Sequence, residues 1–334
     1  MIAVLATGCA PAPRYVRSPE WRNGHFHNPS GTSYPGFKQT LRWRLEPGQH
    51  EKPFTAPFVR NDGEALRENR DSSSVTWIGH ATTLLQAGGI TILTDPVFSE
   101  NIGLFHRLAP PGVALADLPP IDFVVISHNH RDHLDAASVR ALGRDMQYVV
   151  PLGLKSWFHA RGIDRVTELD WWQSTVVTTR SGLRAKVTMV PAQHWSQREA
   201  YDRNRTLWGG YIIDAGPTRF YFAGDTGYPA AFAEIGRRFP HIDFALLPIG
   251  AYAPRWFMHG QHMSPEDAAR AFVELGAHTL VPIHWGTFHL TEEPMSEPPA
   301  RLYRALGRLA NQILFLPIGG SYFAKDSSSA AASR

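Results

Sequence analysis

The chain has 334 residues, 43 % hydrophobic and 19 % charged, a composition that suits a folded protein with a large core and excludes a disordered one. A formal net charge of +3 is too small to point to a nucleic-acid partner. No apolar run reaches the roughly 18 residues of a spanning helix, and the single cysteine, Cys9, excludes an internal disulfide and a cysteine-rich metal site.

Residues 1–9 are apolar and end in Leu5-Ala6-Thr7-Gly8-Cys9. This is similar to the cleavage site of a bacterial lipoprotein, although the run is short and no Lys or Arg precedes it. Two addresses stay open: the bacterial cell envelope, with a lipid anchor on Cys9, or the cytoplasm, with an ordinary apolar amino terminus. Residues 10–74 are rich in Pro, Gly, Arg and aromatics without regular period. They predict an extended arm over the main domain, anchored by Trp21, Phe26, Phe37, Trp43 and Phe58. Its cations Arg14, Arg17, Arg22, Lys38, Arg42 and Arg44 face either water or a membrane surface.

From residue 75 the pattern becomes regular. Short β-branched runs predict strands at 75–78, 82–86, 90–93, 123–127, 148–150, 187–190, 208–214, 219–223, 244–247, 279–283 and 313–316. Helices are expected at 136–142, 153–160, 228–239, 265–275 and 299–309. Ser264 before Pro265, Glu266 and Asp267 is a strong helix start. Hairpin-like strands first and alternating strands and helices later predict one mixed α/β domain over 75–324. The polar residues 325–334 are expected to be a disordered tail.

The sharpest feature follows the strand predicted at 123–127. His128, His130, Asp132 and His133 fall within six residues. A compact turn offering two pairs of ligands suits two adjacent metal ions. Three later segments repeat the arrangement of a strand end, a ligand and a small residue: His194 after 187–190, Asp225 after 219–223 and His284 after 279–283.

These motifs resemble the metallo-β-lactamase superfamily. More closely, the chain is similar to N-acyl phosphatidylethanolamine phospholipase D and its bacterial relatives. The phrases that carry the likeness are WIGHAT (77–82), LTDP (93–96), SHNHRDHLD (127–135), QHW (193–195), FAGDTGY (222–228) and IHWGTF (283–288). The resemblance implies a four-layer αββα sandwich holding two zinc ions, with iron or manganese as alternatives. It assigns His128, His130 and His194 to one ion, Asp132, His133 and His284 to the other, and Asp225 to a bridging position. Asp95 and, less directly, His80 would orient those ligands from behind.

The reaction implied is hydrolysis of a phosphodiester by a metal-bridging hydroxide positioned by Asp132 and Asp225. Two divalent ions, two aspartates and one hydroxide leave a net charge of about +1, which favours an anionic substrate. His262 matches a substrate-contacting histidine of the family. Arg131 and Gln197 stand where the animal enzymes carry tyrosine and lysine, so the head-group preference is open. Arg131 either grips a phosphate or is a solvated loop charge. The apolar segment 251–258 (AYAPRWFM) is a candidate rim for a lipid. The expected partners are an anionic phospholipid or phosphodiester, a membrane surface and a second copy of the chain, with no nucleic acid. A lactone or acyl hydrolase on the same fold, and a non-catalytic envelope protein that keeps it, are the competing readings.

Overall fold

The computed structural model describes residues 18, 20–31, 36–45, 54–229 and 231–324. Cys9, Arg14, Arg17, the side chains of Phe37 and Arg44, and the tail 325–334 lie outside the described residues. In chain order the elements are a small hairpin, β1 (Trp21–Arg22) and β2 (His25–Phe26), then α1 (Phe37–Leu45) and α2 (Glu64–Glu68). An antiparallel meander follows: β3 (Ser74–Gly79), β4 (Thr82–Ala87) and β5 (Ile90–Thr94). A second small hairpin, β6 (Asn101–Ile102) and β7 (Phe105–His106), leads to β8 (Phe123–Val125), α3 (Ala136–Leu142), β9 (Tyr148–Pro151), α4 (Lys155–His159) and β10 (Val166–Leu169). Then come β11 (Ser174–Thr178), β12 (Arg184–Val190), β13 (Gly210–Ala215), β14 (Thr218–Phe222), α5 (Ala231–Arg238) and β15 (Phe244–Pro248). The chain continues through α6 (Arg255–Met258), α7 (Pro265–Leu275), β16 (Thr279–Ile283), α8 (Glu297–Leu306) and β17 (Ser321–Phe323).

Two mixed sheets form the centre. One has the order β10-β9-β8-β5-β4-β3-β17, the other β11-β12-β13-β14-β15-β16. Side-chain alternation divides the first sheet between two cores. Trp77, Leu85, Ile92, Phe123 and Val125 join the large core shared with the second sheet. Leu84, Leu93, Val124 and Ile126 point the other way, onto Val139 of α3 and Phe158 of α4. The second sheet carries Phe220, Phe222, Leu246 and Val281, and α5 and α7 add Phe232, Ile235 and Phe272 to the large core. The result is the α/β sandwich expected from the sequence.

Local chemistry explains the best-predicted helix. In α7 the Ser264 side chain accepts from the Asp267 N–H, the Asp267 side chain accepts from the Ser264 N–H, Pro265 opens the helix, and Gly276 closes it at φ 60°. Two expectations fail. The run 313–316 is no strand: Ile313 makes an isolated bridge to Leu280 and the Leu314 N–H donates to the Leu280 carbonyl, after which Pro317 stops the ladder. The arm is not extended throughout, because 37–45 form α1, which packs through Trp43 and leaves Leu41 and Leu45 exposed. Phe26 is fully buried as an anchor should be, whereas Phe58 is 41 % exposed. Leu66 of α2, within the segment read as arm, is buried in the outer core.

The topology places every strand end that matters on one edge. Parallel pairing of β5 with β8, and of β14 with β15 and β16, points their carboxyl ends the same way. Polar loops gather there over a rigid scaffold.

Candidate metal centre

The loop after β8 supplies His128, His130, Asp132 and His133, and the segments after β12, β14 and β16 supply His194, Asp225 and His284. The ring nitrogens of His128, His130 and His194 lie within 4.8 Å of one another, and so do single ligand atoms of His80, Asp132, His133 and His284. Asp225 stands between the two groups. Its Oδ2 is 3.1 Å from His133 Nε2 and 3.9 Å from His194 Nε2, and its Oδ1 is 3.0 Å from His284 Nε2.

Whether these residues fit metal ions is decided by their unpaired atoms. His133 Nε2, His284 Nε2 and Asp225 Oδ1 are buried and make no hydrogen bond, and His130 turns its Nδ1 to the same place, 2.8 Å from His128 Nε2 and 3.3 Å from His194 Nε2. Buried polar atoms are almost always paired, and three orphans beside three imidazole nitrogens crowded into one place are what a ligand set requires. Electrostatics agrees. Burial, reinforced by His194, holds His130 down to about 3, and burial, only partly offset by Asp225, holds His194 down to about 4. Both imidazoles are therefore neutral, the ligating form. Burial also opposes charge on His284, but Asp225 and Asp132 outweigh it and push the ring up to about 9. His133 is raised by the same two carboxylates against its own burial. Without cations, these two protonated rings neutralise the aspartates, so metal binding must release protons.

A second layer of groups sets the tautomers. Asp95, itself fully buried, accepts from His133 Nδ1 at 2.6 Å, from the Ser127 N–H at 2.7 Å and from the Ser127 hydroxyl at 2.5 Å. With its hydroxyl proton given to Asp95, Ser127 Oγ accepts from His128 Nδ1 at 2.9 Å. His194 Nδ1 donates to the Gln261 carbonyl at 2.9 Å. Each of these rings thus turns Nε2 to the centre. His80 Nε2 lies 3.0 Å from Asp132 Oδ2 and, held neutral by burial, donates to it.

The backbone is distorted where these side chains leave it. His80, Asp95 and His284 have φ of 54°, 32° and 61°, in the left-handed region that costs a non-glycine residue on the order of 1–3 kcal/mol. Two glycines allow close approach. A Cβ on Gly224 would stand 2.4 Å from Ser127 Cβ, and one on Gly250 would stand 2.2 Å from the His284 carbonyl oxygen.

Over the centre opens a cleft of about 450 Å³, walled by Trp43, Phe105, Trp195, Phe257 and Met258. His130, Asp132, Asp225 and His262 reach into it, with Gln197, Gln261 and Arg203. His262 Nδ1 is buried, unpartnered and 3.9 Å from Asp225 Oδ2. Gln197 donates to the Glu199 carbonyl at 3.0 Å. Arg131 does not line the cleft: it is half-exposed and pairs with Glu199 at 3.2 Å, the geometry of a solvated loop charge. From the arm, Trp43 stacks on Phe257 at 4.8 Å and Arg42 lies over the Trp256 ring at 4.4 Å. Sequence reasoning missed Ser127, Phe105, Trp195 and Arg203. Ser127 alone carried a signal, because a hydroxyl at the strand end beside the first ligand is well placed to fix that ligand's ring.

Comparison with known proteins agrees with this geometry. Residues 91–285 match the family model of the beta-lactamase superfamily domain. The N-acyl-phosphatidylethanolamine-hydrolyzing phospholipase D 1 of Caenorhabditis elegans is 40 % identical over 242 residues, covering 68 % of each chain. The mitochondrial N-acyl-phosphatidylethanolamine-hydrolyzing phospholipase D of Saccharomyces cerevisiae is 35 % identical over 252 residues, 71 % of this chain and 53 % of that one. An uncharacterized protein of Mycobacterium tuberculosis is 39 % identical over 305 residues, 86 % of this chain and 80 % of its own. Among solved structures, the metallo hydrolase Igni18 of Ignicoccus hospitalis shares the fold at TM-score 0.59 and 22 % identity, covering 76 % of this chain and 99 % of that one. The chain is a metal-dependent hydrolase that belongs to the metallo-β-lactamase superfamily, in the branch of the N-acyl-phosphatidylethanolamine-hydrolyzing phospholipases D.

Proposed function

We propose that the protein is a dinuclear zinc phosphodiesterase of the phospholipase D type, acting on N-acyl phosphatidylethanolamine or a related glycerophosphodiester. The observation that carries this reading is the pair of ligand groups with Asp225 between them, beneath an apolar cleft. The nematode and yeast relatives point to the substrate class. An imidazole and carboxylate set favours zinc, while iron or manganese tolerate the same donors. Two divalent cations held there supply a nucleophilic water at neutral pH and stabilise charge on the phosphoryl oxygens.

The chain's own residues do the rest. Asp95, Ser127 and the Gln261 carbonyl hold three imidazoles in one tautomer and orientation. Asp225, facing both ligand groups and the cleft, would hold and orient the attacking water. Burial holds His262 well below its ordinary value, so it is a neutral ring whose N–H donates to a phosphoryl oxygen. Trp43, Phe257 and Met258 take up acyl chain and exclude water. Leu41 and Leu45, exposed on the helix that brings Trp43 to the cleft, together with Leu104 at the tip of the β6–β7 hairpin, suit contact with a lipid surface.

The test is turnover of N-acyl phosphatidylethanolamine and of an aryl phosphodiester, with and without chelator, alongside metal analysis of the same preparation. Metal-dependent hydrolysis of both is expected, with the lipid preferred. Metal-dependent turnover of neither refutes the reading. The apolar walls would also accept a lactone, so faster turnover across a lactone panel would favour that second reading.

A further inference from the structure

A second cavity, of about 720 Å³, lies behind the first. The segment 195–206 separates them: Trp195, Gln197 and Arg203 line the catalytic cleft, whereas Arg198, Asp202, Arg205 and Thr206 line this cavity. Its other walls are α4 and the β1–β2 hairpin.

Three guanidiniums, those of Arg161, Arg198 and Arg205, face the cavity, and among the described residues none of them pairs with a carboxylate. The carboxylate in the lining, Asp202, accepts the N–H groups of Arg198 and Glu199 on Oδ1, both at 2.9 Å, rather than pairing with a guanidinium. Arg161 lies over the Trp157 ring at 3.7 Å and Arg198 approaches it at 5.1 Å, so two cations share one aromatic face or edge with no anion between them. Burial first, then the nearby Arg131 and Arg161, hold Arg198 down to about 10 against the pull of Glu199 and Asp135. One further polar group is unfinished. The Thr206 hydroxyl, whose oxygen is buried, lines the cavity without a partner and can donate.

Arginine forks that meet backbone carbonyls but no carboxylate, with a free hydroxyl beside them around one space, form a receptor for a tetrahedral dianion. We infer that this cavity binds a phosphate dianion, free or carried as the headgroup of a phosphomonoester lipid, through Arg161, Arg198 and Arg205, with Trp157 as its apolar wall. The inference stands independently of the proposed phosphodiesterase activity. It also reaches the metal centre, because Arg198 donates to the carbonyls of Asn129 and Leu134, at 3.3 and 2.6 Å, and so ties the cavity to the loop that carries four ligands.

The test is isothermal titration calorimetry on the metal-loaded enzyme, with inorganic phosphate in one arm and the soluble dihexanoyl phosphatidic acid in the other. Wild type is expected to show one binding step beyond any at the metal centre. The double variant Arg161→Gln/Arg205→Gln should weaken that step roughly 10- to 100-fold. Ser156→Glu, an exposed position on the same wall, keeps the arginines and the fold and should repel the anion equally. Both variants are expected to retain aryl phosphodiester turnover without added anion. A loss in the phosphate arm alone supports free phosphate as the ligand, and a loss in both arms supports the headgroup as well. No extra step in wild type, or a step unchanged in both variants, overturns the inference.

Discussion

Asp95→Asn isolates what a carboxylate behind a ligand contributes. Asp95 accepts three hydrogen bonds in a fully buried site, from the Ser127 N–H, the Ser127 hydroxyl and His133 Nδ1. Asparagine has nearly the same shape but turns one oxygen into a donor. If its oxygen keeps the Ser127 N–H, its amide NH₂ meets His133 Nδ1–H. The ring must then leave a donor unpaired, at a cost of about 1–3 kcal/mol, or move its proton to Nε2, the atom aimed at the centre. Loss of such a partner typically weakens metal affinity about 10- to 100-fold, or about 1.4–2.7 kcal/mol. The assay is competition with a chromophoric chelator at fixed pH, paired with melting of the metal-free protein. The expected result is a 10- to 100-fold loss at the cation site His133 serves and a smaller loss at the other, which feels Asp95 only through Ser127 and His128. If both affinities hold while only the metal-free protein softens, Asp95 is a packing carboxylate and the orientation argument fails.

Chelation should lower the melting temperature, because the ligands tie four chain segments together; metal at a thousandfold over its dissociation constant adds about 4 kcal/mol. An unchanged melt in chelator would mean that the centre binds weakly. Trp43→Ala removes the stack on Phe257 and should raise KM for a long-chain lipid about 3- to 10-fold while leaving kcat and aryl phosphodiester turnover alone. Equal effects on both substrates would detach the arm from acyl recognition. For pH dependence, burial pushes Asp267 up, but Ser264, Arg255 and Arg270 outweigh it and hold the carboxyl below 3.8. Its contribution, about 1–2 kcal/mol as part of a capping box, is full above the ordinary carboxylate range and lost as pH falls through the lowered value. Urea unfolding in chelator should show wild type and Asp267→Ala far apart at pH 7 and converging as pH falls below the ordinary carboxylate range, and a gap that widens on acidification would refute this.

The ligand set was legible because each ligand follows an apolar run of four or more residues, so chemistry and secondary structure mark the same positions. Placement within the cleft was less legible. Arg131 sits in the middle of the motif, yet its side chain leaves the centre for Glu199, a choice made by a loop 68 residues later. The strand Ser174–Thr178 escaped notice because its sequence STVVT does not alternate apolar with polar, although in this edge strand Thr175 and Val177 turn inward and Val176 lies exposed. Helix α1 was hidden by its polar composition, and its place beside Phe257 depends on a segment more than 200 residues away. Conversely, the run 313–316 is apolar for a reason other than strand pairing: it covers the outer edge of β16.

The centre is a seam. His128, His130, Asp132 and His133 hang from one sheet, and His194, Asp225 and His284 from the other, so neither half alone presents a complete set of donors. A cation therefore reads the join between the two halves of the molecule, and tight binding rewards only a chain whose sheets have closed correctly on each other. Hydrolytic competence is thereby withheld from partly assembled chains, and the metal serves as an inspector of the finished fold before it serves any reaction.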